Sequence, residues 1–340
     1  MGYVIATANM KGGVGKTTLS VNLATSLAKD HGKRVLVFDL DTQISATLSL
    51  MSPTVFSKQR KGKRTLRELI TQVIQPEYQS KIRIHDAIFP GICNIKQLDL
   101  LSGDIELYDE FVVSEMLHEK AFEVDKLDFE IVWNRFERTL IKQILQPILE
   151  NYDFIILDCA PGYNLMTRSA LAASNFYILP ARSEPLSIVG IQLLERRIAQ
   201  LKESHASECK LNIELLGIVF TMSGNLLTGR YYKQVMQRIN EDFEAAKIFR
   251  TQIPTDVNVA KAVDTFMPVV LSSPQSAGAK SFTQLTQEFL QKLQDSVSAR
   301  EQQTNLSKSK VGNAHPTEIN FGTIEKLKLS CQSWNASFAQ

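Results

Sequence analysis

Three aspartates, two lysines and a short glycine loop carry the chemistry that can be read from this chain. The stretch "ATANMKGGVGKTTLSVNL" places Gly12, Gly13 and Gly15 ahead of Lys16 and Thr17, the order of a phosphate-binding loop. Glycines let the backbone curl until successive N–H groups face one point, and the helix that follows adds its positive end. In such a loop Lys16 supplies charge to the β- and γ-phosphates, and the Thr17 hydroxyl is placed for a Mg²⁺ that bridges them. Val14 and Thr18 complete the nucleotide-binding segment. One lysine is sufficient for this task, so Lys11 is a second cation in want of a role.

Carboxylates follow at the places where such a loop needs them. The segment "VFDLDTQ" ends a strand with Asp39 and Asp41, two residues apart and therefore pointing the same way. They fall at the carboxyl edge, where open α/β sheets bind ligands, so one or both could face the metal and the attacking water. In "NYDFIILDCAPG" a run of apolar residues delivers Asp158 to the same edge, as a Walker-B acid that reaches Mg²⁺ through water.

The elements that must hold these groups are also visible. "YVIATA", "RVLVFDL", "FIILDCA", "FYILPA" and "ELLGIVFT" are near-continuously apolar, as parallel strands covered on both faces are. Between them, "TTLSVNLATSLAKDHG" and "PLSIVGIQLLERRIAQLKES" repeat apolar residues at helical spacing. This rhythm predicts one α/β domain over residues 1–294, with a doubly wound, mostly parallel sheet flanked by helices. A helical insertion is expected at about 104–150, with Phe129, Trp133 and Phe136 on one core-facing stripe. The basic run "KQRKGKR" (58–64) reads as a solvated loop. Beyond Gln294 the composition turns to Ser, Gln, Asn and Lys, so residues 295–340 are expected to be a polar tail, disordered or docked on a partner.

Bulk properties exclude several classes. The 340 residues are 44% hydrophobic and 22% charged, with a net charge of +2, too mild to argue for nucleic acid without local clusters. Cys93, Cys159, Cys209 and Cys331 are scattered, without the spacing of a disulfide framework or a zinc site. No leader pattern opens the sequence and no apolar run reaches the ~18 residues of a membrane span. A cytoplasmic protein is expected.

"KGGVGKTT", "VLVFDLDTQ", "FIILDCAPG", "YILPARSEPLSIVG" and "IPTDVNVAKA", in this order from about Tyr3 to Leu293, resemble the deviant-Walker P-loop ATPases of the ParA/MinD group, most of all its ParA (Soj-like) branch. The resemblance implies that Lys11 reaches across a homodimer to the phosphates of the partner's ATP, making Lys11, Lys16 and Asp41 the catalytic set. Asp41 would orient the hydrolytic water, Thr17, Asp39 and Asp158 would support Mg²⁺, and Pro254, Thr255 and Asp256 would lie where relatives contact adenine. It also implies non-specific DNA binding by Arg196, Arg197, Arg230, Lys233, Lys247 and Arg250, association with the nucleoid, and an adaptor of the ParB type or a cargo-specific equivalent that stimulates slow hydrolysis. The cargo would be a plasmid, a chromosome segment or a protein body such as a carboxysome.

The chain departs from the family in several places. The adenine segment reads "PTD" in place of "PRN", and "TMSGNLLTGR" is two residues longer than its counterpart, which brings Arg230 to the place of a DNA-contacting arginine. No helix-turn-helix precedes the loop, so sequence-specific repression is not expected. An alternative, a MinD-like membrane switch, would use Ile324, Leu327, Cys331 and Trp334 with Lys326 and Lys328. The polar face of that segment holds few cations, so membrane anchoring is not expected. The iron-protein branch would need bridging cysteines in contexts that Cys93 and Cys159 lack.

Overall fold

A computed structural model of the chain describes residues 2–75, 77–78, 81–223, 237, 241 and 243–311. Seven strands, β1 (Tyr3–Thr7), β2 (Val35–Asp39), β3 (Leu98–Leu101), β4 (Phe154–Asp158), β5 (Phe176–Arg182), β6 (Glu214–Ser223) and β7 (Ile253–Pro254), form one sheet in the order β3-β2-β4-β1-β5-β6-β7. Every pairing is parallel. The central strands are buried at nearly every position because helices cover both faces. Ile156, wholly buried in β4 between β1 and β2, is a typical core position, where truncation to Ala costs about 2–5 kcal/mol.

β1 leads through the glycine loop into α1 (Lys16–His31), which returns to β2 beyond β4. The strand order reverses direction around β1, and the crevice outside its carboxyl end is the switch point at which such folds bind ligands. Gly15 sits at φ 82° as the left-handed residue before α1, a conformation that costs a side chain dearly. After β2 come α2 (Ser45–Leu50), α3 (Pro53–Lys61), α4 (Leu66–Ile74) and α5 (Ile84–Ala87). Of the basic run 58–64, expected as a loop, residues 58–61 instead form the end of α3 while 62–64 leave it in a turn, and Arg60 pairs with Asp104 at 3.2 Å and Glu106 at 3.1 Å. Ser52 and Pro53 are the start signal that composition alone obscured: Ser52 Oγ accepts from Val55 N and Pro53 opens the first turn.

The stretch after β3 is helical. It contains α6 (Glu110–Glu119), a π-helical turn over Lys120–Asp125, and α7 (Phe129–Leu145). Leu140, Ile141, Ile144 and Leu145 of α7 are buried, while Phe129, Trp133 and Phe136 pack half-buried on the rim of the same core. The remaining helices are α8 (Leu165–Ala173), α9 (Pro185–His205), α10 (Val257–Ala262), α11 (Val269–Ser272) and α12 (Ala277–Val311). One compact unit covers residues 1–292 and a second covers 293–340. The polar composition beyond Gln294 does not end the helix: α12 runs on to Val311, so 295–311 are helical. Residues 312–340, with the candidate membrane-facing Ile324 to Trp334, lie outside the described residues.

Candidate functional site

The glycine loop is braced from three sides. Asn9 Nδ2 donates to the Pro180 carbonyl at 2.7 Å and Asn9 Oδ1 accepts from Lys11 N at 2.9 Å, which ties the loop's start to β5. Thr221 Oγ1, at the end of β6, donates to the Val14 carbonyl at 2.8 Å, and Gly15 lies directly over that threonine. Gly13, at φ 70°, has nothing within 4 Å of the position its Cβ would take, so there is room above the loop for a ligand. Gly12, Gly13, Val14, Gly15, Lys16, Thr17 and Thr18 thus form one turn ending in the first turn of α1.

Lys16 is 6% exposed and its Nζ donates to the Lys11 carbonyl at 2.9 Å. Burial pulls its pKa down, opposed by the charges of Asp158 and Asp41 nearby. Thr17 Oγ1 donates to Asp158 Oδ2 at 2.8 Å, and Ser20 Oγ, one turn on, donates to Asp158 Oδ1 at 2.7 Å. Thr17 and Asp158, both expected to support Mg²⁺, are thus hydrogen-bonded to each other. Ser20 is a member that the sequence did not single out.

Asp39 and Asp158 are register partners on β2 and β4, both fully buried. Burial lifts both carboxyl pKa values, and for Asp39 the neighbouring Asp158 adds to the effect. Asp39 Oδ2 accepts from Thr47 N at 2.8 Å and Thr47 Oγ1 at 2.7 Å, and Asp39 Oδ1 accepts from Asp41 N at 3.2 Å. Both oxygens thus hold the turn that presents Asp41. Gly103 packs onto this turn: a Cβ there would stand 3.1 Å from the Asp39 carbonyl oxygen. Asp41 is 8% exposed, and its Oδ1 accepts from Gln43 N at 3.0 Å.

Lys11 behaves differently from Lys16. Its Nζ forms an ion pair with Glu184 Oε2 at 3.1 Å, and Arg182 Nη1 reaches the other oxygen of Glu184 at 3.3 Å. Both the Lys11 and Glu184 side chains are 37% exposed, at the mouth of the site. Close by in the chain, Ser183 Oγ and Ser187 Oγ are buried without a hydrogen-bond partner among the described residues, as is Thr7 Oγ1 at the end of β1.

The remaining expected residues divide. Thr255 N donates to the Ser223 carbonyl at 3.1 Å, which carries the 254–256 segment to the carboxyl edge of the sheet. The Asp256 carboxylate, however, caps α10 through Asn258 N at 2.7 Å and accepts from Gly278 N at 2.8 Å, and these N–H donors hold its pKa below the usual range. The Asp256 side chain is thus engaged within its own chain, while Thr255 is exposed. Arg196 and Arg197 are exposed on α9, where the Arg197 guanidinium lies 6.0 Å from the Tyr163 ring centroid. Lys247 donates to the Leu215 carbonyl at 2.9 Å, at the amino end of β6 and so away from the loop, and Arg250 is exposed with its N–H on Glu288. Arg230 and Lys233 lie outside the described residues.

A converging set of N–H groups, a buried ammonium and a hydroxyl paired with a buried carboxylate can bind a polyphosphate together with a divalent cation. Among the described residues no group of three or more His, Cys, Asp or Glu side chains could hold a metal by itself. Mg²⁺ takes few protein ligands and completes its shell with phosphate and water.

Residues 2–213 match the protein family described as "AAA domain". The sporulation initiation inhibitor protein Soj of Bacillus subtilis is 30% identical over 292 residues, 85% of this chain and 98% of that protein. Among solved structures, an ATP complex of a Cyanothece McdA variant superposes with a TM-score of 0.62 at 18% identity, over 85% of this chain and 96% of that one. Cobyrinic acid a,c-diamide synthase of Mycobacterium smegmatis with bound ADP and magnesium superposes with a TM-score of 0.61 at 22% identity, over 86% and 96%. At these identities the two structures speak for the fold.

Proposed function

Because the chain belongs to the ParA/MinD group of P-loop ATPases, we propose that it is an ATP-dependent dimerising switch that binds DNA without sequence preference and positions or segregates a cargo. Hydrolysis, slow until an adaptor protein stimulates it, would release the dimer from the nucleoid. The observation that carries this reading is the placement of the two lysines. Lys16 is buried within its own loop, whereas the Lys11 ammonium is turned to the mouth of the site, on Glu184. A cation at the rim is available to a nucleotide held by a second subunit. Relatives named as a chromosome-partitioning ATPase Soj of Treponema pallidum and a chromosome partitioning protein ParA of Myxococcus xanthus support the positioning reading.

In this mechanism the loop N–H groups from Gly12 to Thr18 cradle the phosphates of ATP and Lys16 neutralises them. Thr17 and Asp158 would hold Mg²⁺, which supplies charge stabilisation on the phosphate oxygens. Asp39, its oxygens engaged by Thr47 and Asp41, supports the Asp41 turn and would add its charge to the Mg²⁺ site from there. Asp41 then orients the attacking water, and Lys11 of the opposite subunit faces the charge that develops on the transferred phosphoryl group. Arg196, Arg197, Arg230, Lys233, Lys247 and Arg250 are proposed as DNA contacts, doubled when the dimer closes. No described helix is long and apolar enough to cross a membrane.

The test is light scattering with phosphate release. ATP and Mg²⁺ should convert the monomer to a dimer while turnover stays low, and ADP should not. A mass that does not respond to ATP would overturn the switch.

A further inference from the structure

The helical stretch after β3 exposes large apolar side chains that no described residue covers. Phe111 is 74% exposed on α6 and Phe122 is 88% exposed on the π-helical turn, while Val113 and Leu117 face the core. Eleven residues of helix return to nearly the same face about 16 Å further along. The outer stripe therefore reads Phe111, Glu115, His118, Phe122, with all four positions exposed and His118 stacked 3.7 Å from the Phe129 ring. Such side chains on a charged helix are the pattern of an interaction surface. Beside Phe111 a cavity of about 850 Å³ opens between α4 and the start of α6, with Ile74, Tyr78, Leu107, Tyr108 and Val112 on its walls.

Charge names the occupant. Residues 104–130 contain ten Asp and Glu against two Lys, a net of −8 in a chain of net +2, so the rest of the molecule carries +10. Asp104 and Glu106 are matched by Arg60 and Arg67, but Glu110, Glu115, Glu119 and Glu130 are exposed around the aromatic stripe. A field of this sign repels nucleic acid phosphates and attracts a cationic segment.

We infer that this face docks a basic amphipathic helix of a partner protein, with two apolar anchors about eleven residues apart that meet Phe111 and Phe122 and with Lys or Arg between them opposite Glu115 and Glu119. Such docking is the helix-on-groove mode, with hydrophobic anchors for affinity and charge for orientation. The identification of that partner with the adaptor rests on the function proposed above. The surface itself does not.

The experiment uses the full chain and fluorescein-labelled Leu–Lys and Leu–Glu amphipathic helices of about 18 residues, five helical turns, followed by anisotropy. The Leu–Lys helix should bind at least about tenfold tighter than the Leu–Glu helix. Both the Phe111→Ser/Phe122→Ser and the Glu115→Lys/Glu119→Lys variants should lose about tenfold, with unchanged melting, while Glu203→Lys on α9 should not. Equal binding by all variants, or by both helices, overturns the inference. So does ATP-independent self-association lost in the Phe variant, which would make the face a contact between copies. Binding that rises on deletion of 312–340 would assign the face to the chain's own segment and likewise overturn it. ATP-dependent DNA binding is measured in parallel: its loss in wild type would sink the positioning reading and leave the docking result to stand or fall alone.

Discussion

Lys11 Nζ lies 3.1 Å from Glu184 Oε2 of its own chain, while the Lys11 carbonyl accepts from Lys16 Nζ at 2.9 Å. One residue thus serves the loop through its backbone and the rim through its side chain. The Lys11–Glu184 pair is 37% exposed on each side, and exposed pairs are worth about 0–1 kcal/mol, so its exchange for a phosphate is easy.

Replacing the two lysines should therefore have different effects. Lys16→Ala removes the buried cation of the cradle and should weaken ATP binding about a hundredfold, the ~3 kcal/mol of a charge-assisted hydrogen bond. Lys11→Ala should leave binding within about threefold but abolish the ATP-dependent dimer. Equilibrium titration of a fluorescent ATP analogue with light scattering distinguishes them; a Lys11→Ala dimer as stable as wild type would contradict the assignment.

Asp41 is held through its N–H by Asp39 Oδ1, outside the direct pairing of Thr17 with Asp158. Asp41→Ala should keep ATP and the dimer but lower turnover by about a hundredfold or more. Phosphate release at saturating Mg²⁺ checks this, and unchanged turnover would move the water-orienting role to another group.

The buried Asp39 and Asp158 pair has a pH signature without metal. Both carboxyls are lifted by burial above their unfolded value near 4, so the folded chain binds protons that the unfolded chain has released. Their contribution to stability is full at low pH and is lost as pH rises from about 4 toward neutrality. In chelator, urea unfolding of Asp39→Asn should show a flatter pH dependence than wild type across that window. An equal or steeper slope would contradict the charge pairing.

The legible parts of this molecule were those in which one residue type is physically required. Only glycine tolerates the φ of 82° at position 15, and a carboxylate at the end of an apolar run has few uses, so the loop and Asp158 could be read directly. Ser20, Thr47, Asn9 and Thr221 were not, because a hydroxyl or amide inside an ordinary helix or strand gives no signal until the fold brings its partner near. The strands β3 and β7 escaped for a similar reason: four residues interrupted by Asp99, and two residues ending at Pro254, are too short for a periodicity. Asp256 did carry a further signal, an acidic residue immediately before a helical run, which marks the N-cap it forms. Beyond Gln294 composition argued against a core, and α12, whose buried residues end at Leu293, continues there with residues 294–302 exposed or half-buried.

The central claim is that ATP closes a dimer that holds DNA, and a titration of random-sequence duplex followed by anisotropy at two salt concentrations tests it most directly. With ATP, binding should appear and be indifferent to sequence, and it should fall steeply with salt, each neutralised phosphate contributing about −0.9 to the slope of log K against log salt. Arg196→Ala/Arg197→Ala and Arg230→Ala should weaken it for every sequence and flatten that slope. With ADP, binding should be absent. Binding that ignores the nucleotide, or none with ATP, would contradict the account.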